Sequence, residues 1–250
     1  MTKINLSGLP LRKNCSVIFE FPSGILAFEK AAGILSHPNI VKSGKQLSSR
    51  SFLDAPFDHV GEFYYLENGS KIYLVHRLDS ATSGVLLATT SLNASKELKN
   101  AFKQREVRKT YYAVVRSRSN PRLGVWKDSL IERKDAGKLK VVRGKGSVAI
   151  TEAFLTRKPG GLFGFSMLKL IPKTGRTHQL RVQSAFRDLP IIGDRSYGDF
   201  SLNRKVARAS KVDRLCLHAA EIECEIKIER KPIKIFAESP LPRSFGKLLS

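Results

Sequence analysis

The sequence predicts an α+β protein built on a large mixed β-sheet with helices on its faces. Short apolar runs of strand length recur along most of the chain, whereas only two segments carry apolar residues at convincing helical spacing. Strands and helices do not alternate regularly, as a doubly wound parallel sheet would require.

The elements follow in order. Residues 1–15 read as a short N-terminal extension. Residues 24–35 mix apolar runs with the turn Lys30-Ala31-Ala32-Gly33. The stretch 43–68 is rich in Ser, Asp and Gly, is interrupted by Pro56, and reads as an irregular excursion. Residues 71–75 and 84–89 are apolar strands joined by a polar loop. Ser91 has the position of an N-cap, and Ala94, Leu98, Ala101 and Phe102 recur at helical spacing behind it, with Lys96, Lys99, Lys103 and Arg105 on the other faces. A strand follows over 110–115, and further strands run to about Leu170. The pattern switches to a helix from about Thr174 to Ala185, and the tail adds strands over 214–228 and 233–237.

Charge bounds the class of partner. The 250 residues hold 44 Lys and Arg against 22 Asp and Glu, a formal net charge of +22. Such an excess attracts polyanions and makes their binding salt-dependent. A solvated basic surface would have the same composition, but no long basic amphipathic helix points to a membrane surface. No run of about 18 apolar residues exists to span a membrane, and residues 1–11 lack the apolar core of a secretory signal. Three cysteines, Cys15, Cys216 and Cys224, form no C-x-x-C pair, which fits a reducing cytoplasm. Cys216, His218 and Cys224 lack the fourth ligand and spacing of a zinc site, so core thiols and no metal are expected.

Three clusters can carry chemistry. The first is the loop His76-Arg77-Leu78-Asp79, closed by Thr82-Ser83-Gly84. A carboxylate there can be aimed into a cleft, although an Asx turn would use the same residue. The second is Thr174-Gly175-Arg176-Thr177-His178-Gln179-Leu180-Arg181. Read as the opening of a helix, it places Thr177, His178 and Arg181 on one face, where Arg181 can pair with a buried carboxylate or hold a phosphate. A basic surface helix is the plain alternative. The third is Lys109-Thr110-Tyr111-Tyr112-Ala113, a strand whose two rings face opposite sides, one free to stack on a nucleobase or both packed in the core.

Taken together and in order, these segments resemble the RluA-type family of pseudouridine synthases. His76 to Asp79 with Thr82-Ser83-Gly84 resembles its catalytic loop, Lys109 to Ala113 its tyrosine motif, and Gly175 to Val182 its arginine motif. Leu189-Pro190-Ile191-Ile192-Gly193-Asp194 with Tyr197-Gly198, Arg214-Leu215-Cys216-Leu217-His218-Ala219, and the opening Phe28 to Pro38 also fit. The resemblance covers about residues 24–242. It departs from the family at Gln183 and Leu189, where histidines are common, over an insertion at about 39–70, and in showing no S4-like RNA-binding module at the N-terminus.

The resemblance implies a pseudouridine synthase fold, with a mostly antiparallel sheet and a central catalytic cleft, over residues 16–250. It implies an isomerase that converts specific uridines in structured rRNA or tRNA, without cofactor. Asp79 would be the covalent participant, as nucleophile at C1′ or as base in a glycal route. Arg181 would keep that carboxylate charged, Tyr111 would stack on the target base, and Arg77 would fill the space left by the extruded uridine. His76, Thr82, Arg108, Lys109, Arg176 and His178 are expected to contact the RNA. The protein is expected to be a cytoplasmic monomer with RNA as its partner. A non-catalytic RNA-binding or ribosome-assembly protein could keep the fold, but Asp79, Tyr111 and Arg181 are all present. A methyltransferase would need a glycine-rich nucleotide loop, and none is visible.

Overall fold

The computed structural model describes residues 6–39, 50–116, 121–135, 138–160 and 163–250. In chain order the strands are β1 (Ser16–Phe21), β2 (Ile25–Lys30), β3 (Phe57–Asp58), β4 (Phe63–Tyr65), β5 (Lys71–Leu74) and β6 (Ser83–Thr89), followed by helix α1 (Leu92–Gln104). Then come β7 (Arg108–Arg116), β8 (Gly124–Asp135), β9 (Lys138–Arg143), β10 (Ser147–Gly160) and β11 (Phe165–Pro172). Helices α2 (Gln179–Ala185) and α3 (Phe200–Ser210), strands β12 (Leu217–Ile228) and β13 (Lys231–Glu238), and helix α4 (Arg243–Leu249) complete the chain. The elements divide into two compact units, Met1–Val107 with Glu221–Ser239, and Arg108–Ala220 with Pro240–Ser250.

In the first unit, β1 pairs with β2, β2 with β6, β6 with β5, β5 with β4 and β4 with β3, all antiparallel; β12 pairs with β13 in the same sense. Every residue of β6 is buried, so the strand has core on both faces, as its unbroken apolar run requires. On one side Val85 and Leu87 join Ile25, Ala27, Leu98 and Ala101 together with Ile222, Ile226, Ile233 and Ile235. Elsewhere in the unit Phe28, Phe52, Phe57 and Tyr64 pack edge to face. From Ile222 onward β12 instead alternates buried and exposed positions, as does β13 from Pro232, the signature of a sheet with one wet face. Helix α1 starts where Ser91 caps it, its Oγ accepting from the Ala94 N–H at 3.3 Å.

The excursion expected over 43–68 is more ordered than its composition suggests. Residues 40–49 lie outside the described residues, but β3 and β4 extend the sheet beyond β5, and Phe52, Leu53, Phe57, Phe63 and Tyr64 are buried. The apolar area of these side chains outweighs the turn-forming residues between them. The segment before β1 is bonded to the same stretch, with Arg12 N–H donating to Phe52 and Asp54 N–H to Pro10.

In the second unit the strand order is β7-β11-β10-β8-β9, again antiparallel. Trp126, Leu130, Val141, Ala149 and Val182 are buried, and α2 supplies the last of them. The expected helix from Thr174 is shortened to Gln179–Ala185. Its predicted first turn is consumed locally: Thr174 Oγ1 accepts from the Ile150 N–H, Gln179 Oε1 accepts from the Arg176 N–H, and His178 has φ 51°, outside helical space. Two further helices, α3 and α4, lie outside the elements that the sequence predicts. On α3 only Val206 is fully buried, and its half-buried neighbours Asn203, Ala207 and Ser210 are small or polar, so few large apolar side chains mark the inner face. No helix among the described residues is long and apolar enough to cross a membrane.

Gly193 sits where the chain leaves α2 for α3, with φ 76°, and a Cβ built there would lie 1.8 Å from the Arg214 carbonyl oxygen. Gly193→Ala therefore combines a disfavoured backbone with a backbone clash. It is expected to lower unfolding free energy by more than about 1 kcal/mol, read as a lower urea midpoint at unchanged slope; an unchanged midpoint would show that the turn can relax.

Candidate active site

Asp79 lies in the loop between β5 and β6, half-buried, with Arg77 exposed beside it and Leu78 and Thr82 buried. The residues flanking it are pinned from both sides. Ser36, itself buried, makes a reciprocal clamp on Leu78: its Oγ accepts from the Leu78 N–H at 3.1 Å and donates to the Leu78 carbonyl at 3.2 Å. On the other side the Ser80 carbonyl accepts from the Gly33 N–H at 2.7 Å and from the Lys30 ammonium at 3.2 Å. Thr82 N–H closes the turn on the Asp79 carbonyl at 3.0 Å.

Lys30 is completely buried, and its Nζ donates to three carbonyls, those of Ala31, Ile34 and Ser80. An ammonium has three protons to give, and a buried one is tolerable only when they are used. Its charge therefore fixes the opening turn and the Asp79 loop to each other. Tyr64 extends the brace, its hydroxyl donating to the Ser36 carbonyl at 2.7 Å. Neither Lys30 nor Ser36 was singled out from the sequence; both sit in the opening segment Phe28 to Pro38, whose resemblance to a family motif was the available signal.

His76 was expected at the RNA. Its Nε2 accepts from the Leu87 N–H at 2.9 Å and its ring stacks on Phe102 at 4.7 Å between centroids, so it ties the loop to β6 and α1. His37, stacked on Phe57, belongs to the same unit; burial first, then the nearby Arg77 and His59, holds its imidazole below the usual histidine range.

The remaining candidates are carried by the second unit. On β7, Arg108 is exposed, Tyr111 and Tyr112 are half-buried on opposite faces, and burial pulls the Lys109 ammonium below the usual lysine range. Arg181 is buried on α2 and forms a two-pronged pair with Asp194, Nε to Oδ2 at 2.8 Å and Nη2 to Oδ1 at 2.9 Å. Asp194 also accepts from the N–H groups of Ser196 and Tyr197. Burial alone would raise the Asp194 carboxyl, but Arg181 and these two N–H groups hold it below the usual carboxylate range.

His178 and Arg181 do not share a helix face as their spacing suggested, because His178 precedes α2. They converge instead on Tyr197, whose hydroxyl lies 2.9 Å from His178 Nδ1 and whose ring lies 5.2 Å from the Arg181 guanidinium carbon. Arg176, also outside the helix, is exposed and donates from Nε to the Val148 carbonyl. Two positions that the sequence left without a role hold α2 in place. Gln183 donates to the carbonyls of Trp126 and Ala149 and to Asp128, and accepts from Thr151. Asp128 also takes Arg187 and Arg143. Among the cysteines considered for a metal, Cys216 and Cys224 are buried thiols, pushed up by burial to about 12 and about 11.

Residues 24–186 match the model of a family described as RNA pseudouridylate synthase. A relative in Borreliella burgdorferi, ribosomal large subunit pseudouridine synthase D, is 34% identical over 239 residues, covering 94% of this chain and 68% of its own. The tRNA pseudouridine synthase C of Salmonella typhimurium is 35% identical over 181 residues, 68% of each chain. The solved structure of human RNA pseudouridylate synthase domain containing 4 superposes with a TM-score of 0.63 at 22% identity, covering 93% of this chain and 92% of that one.

Removing one member of a buried ion pair strands the other. Asp194→Ala is accordingly expected to cost about 3–5 kcal/mol in denaturant unfolding. Because the folded Asp194 titrates below its unfolded value, its contribution is complete above about pH 4 and is lost as pH falls through the folded value. Acid titrations of stability should thus be flatter below about pH 4 in the variant than in the parent; parallel curves would assign the acid transition elsewhere.

Proposed function

The chain belongs to the RNA pseudouridylate synthase family, and from that premise we propose that Asp79 is its catalytic carboxylate and that its substrate is a uridine in structured ribosomal or transfer RNA. The reaction is an isomerisation. The N1–C1′ bond of uridine breaks, the uracil turns, C5 bonds to C1′, and the C5 proton is lost to solvent while N1 gains one. Electrons balance without an external acceptor, so no redox carrier enters.

The observation that carries the assignment is the bracing of the loop: a half-buried carboxylate flanked by backbone groups held by Ser36, Gly33 and Lys30. Preorganisation of this kind removes the cost of ordering a reactive group when substrate arrives. As nucleophile at C1′ or as base in a glycal route, Asp79 acts in its ionised form. By motif position Tyr111 offers its ring to the target base and Arg181 its guanidinium to the charge of the reaction. Arg77, exposed next to Asp79, is suited to occupy the space of an extruded uridine. Arg108, Lys109, Arg176 and His178 supply contacts to the RNA, whereas His76 and Thr82 hold the loop. The names of the relatives, one for the large ribosomal subunit and one for tRNA, support those two classes of target. The three free thiols suit a reducing cytoplasm.

The test is tritium release from RNA labelled at uridine C5. Asp79→Asn, isosteric but unable to ionise, is expected to lower turnover by at least about 10³-fold while RNA affinity stays near the parent value. Full turnover by that variant would remove Asp79 from the chemistry. Equal loss of binding would mean that the loop is needed for docking first.

A further inference from the structure

We propose that the outward face of α3 is a docking surface for the sugar-phosphate backbone of the RNA, separate from the residues assigned to the reaction. The proposal rests on the reading of the chain as an RNA pseudouridine synthase, which supplies the polyanion. Along α3 the side chains divide cleanly. Asn203, Val206, Ala207 and Ser210 recur at three- and four-residue spacing and are buried or half-buried, while Ser201, Arg204, Lys205 and Arg208 form the complementary exposed stripe. Lys211, the C-cap, continues it and is also exposed.

No acidic residue occurs from 200 to 212. The two carboxylates that bracket the helix are already used. Asp199 accepts from the Leu202 N–H as N-cap and lies 3.5 Å from Arg116, and Asp213 pairs with Arg195 at 2.9 Å. Solubility alone is served by mixed charges, and a surface helix gains from Glu and Lys four residues apart. Here Arg204 and Arg208 stand four apart as like charges and repel. The dipole rewards Arg208 and Lys211 near the C-terminus but not Arg204 and Lys205 further in. A phosphate backbone is the partner that relieves this repulsion.

The helix is also fixed to the buried pair described above. Asn203 donates from Nδ2 to the Asp194 carbonyl at 3.0 Å and accepts at Oδ1 from the Gly193 N–H at 2.9 Å. A phosphate held on α3 is thereby at a set distance from Arg181, within one unit. Contacts of this kind position an RNA without reading its sequence.

The test neutralises the stripe in R204Q/K205Q/R208Q and measures binding of a tRNA transcript and a large-subunit rRNA fragment across a KCl series, with tritium release in parallel. Each lost phosphate contact removes about 0.7–0.9 from the slope of log affinity against log salt, so the slope is expected to become shallower by about 2–3. KM should rise about tenfold and kcat stay within about twofold, as for uniform binding. As a control, K227Q/R230Q/K231Q removes the same charge from exposed positions of β12, β13 and their turn; it should change the slope by less than about 1. An unchanged slope in the α3 variant, or an equal change in the control, would overturn the proposal. If the triple variant unfolds, R204Q and R208Q are read singly, each expected to remove about one contact. A parent protein that releases no tritium from either RNA would instead sink the enzymatic reading, with the binding slopes still comparable.

Discussion

Among the described residues of this strongly basic chain, only Lys30 and Arg181 of all the lysines and arginines are buried. A buried charge must find its hydrogen bonds inside the protein or the fold fails. Each satisfies this constraint differently: Lys30 donates to three backbone carbonyls, and Arg181 presents a planar fork to Asp194. Each also belongs to a different unit and organises the local structure there. Lys30 joins the opening turn to the loop of Asp79, and Arg181 joins α2 to the segment that leads into α3.

The second unit adds a further layer of the same logic. Gln183 is fully buried and takes partners on β8 and β10, so α2 cannot shift without breaking several bonds at once. A histidine at that position would offer two ring nitrogens, whereas an amide offers two protons and a carbonyl in one plane. The substitution thus coincides with a network that uses the amide fully, including Asp128 and the two arginines that share it.

Much of the fold was legible because its strongest signals are local. The strands β5, β6, β7 and β13 and the capped start of α1 fall within a residue or two of their expected bounds, since β-formers and a serine cap act over a few positions. Helix α2 was misjudged at its start because the side chain of Gln179 and the left-handed His178 divert the backbone, an effect no periodicity reports. Strands β3 and β4 were hidden among turn-forming residues, and α3 among polar ones. Of the proposed site residues, Asp79, Tyr111 and Arg181 were legible as residue types in ordered motifs. The supports were not: that Ser36 would clamp Leu78, or Asp194 would take Arg181, depends on long-range folding that brings residues 42 and 13 positions apart together.

The division of the chain has a consequence for its synthesis. The first unit draws its core from Ile25, Val85 and Leu98 but also from Ile222, Ile226, Ile233 and Ile235, which follow only after the whole segment from Arg108 to Ala220. At ribosomal speeds that gap lasts on the order of ten seconds. For that interval the nascent N-terminal segment carries an apolar face whose natural cover has not been made, a surface open to a chaperone until β12 and β13 emerge.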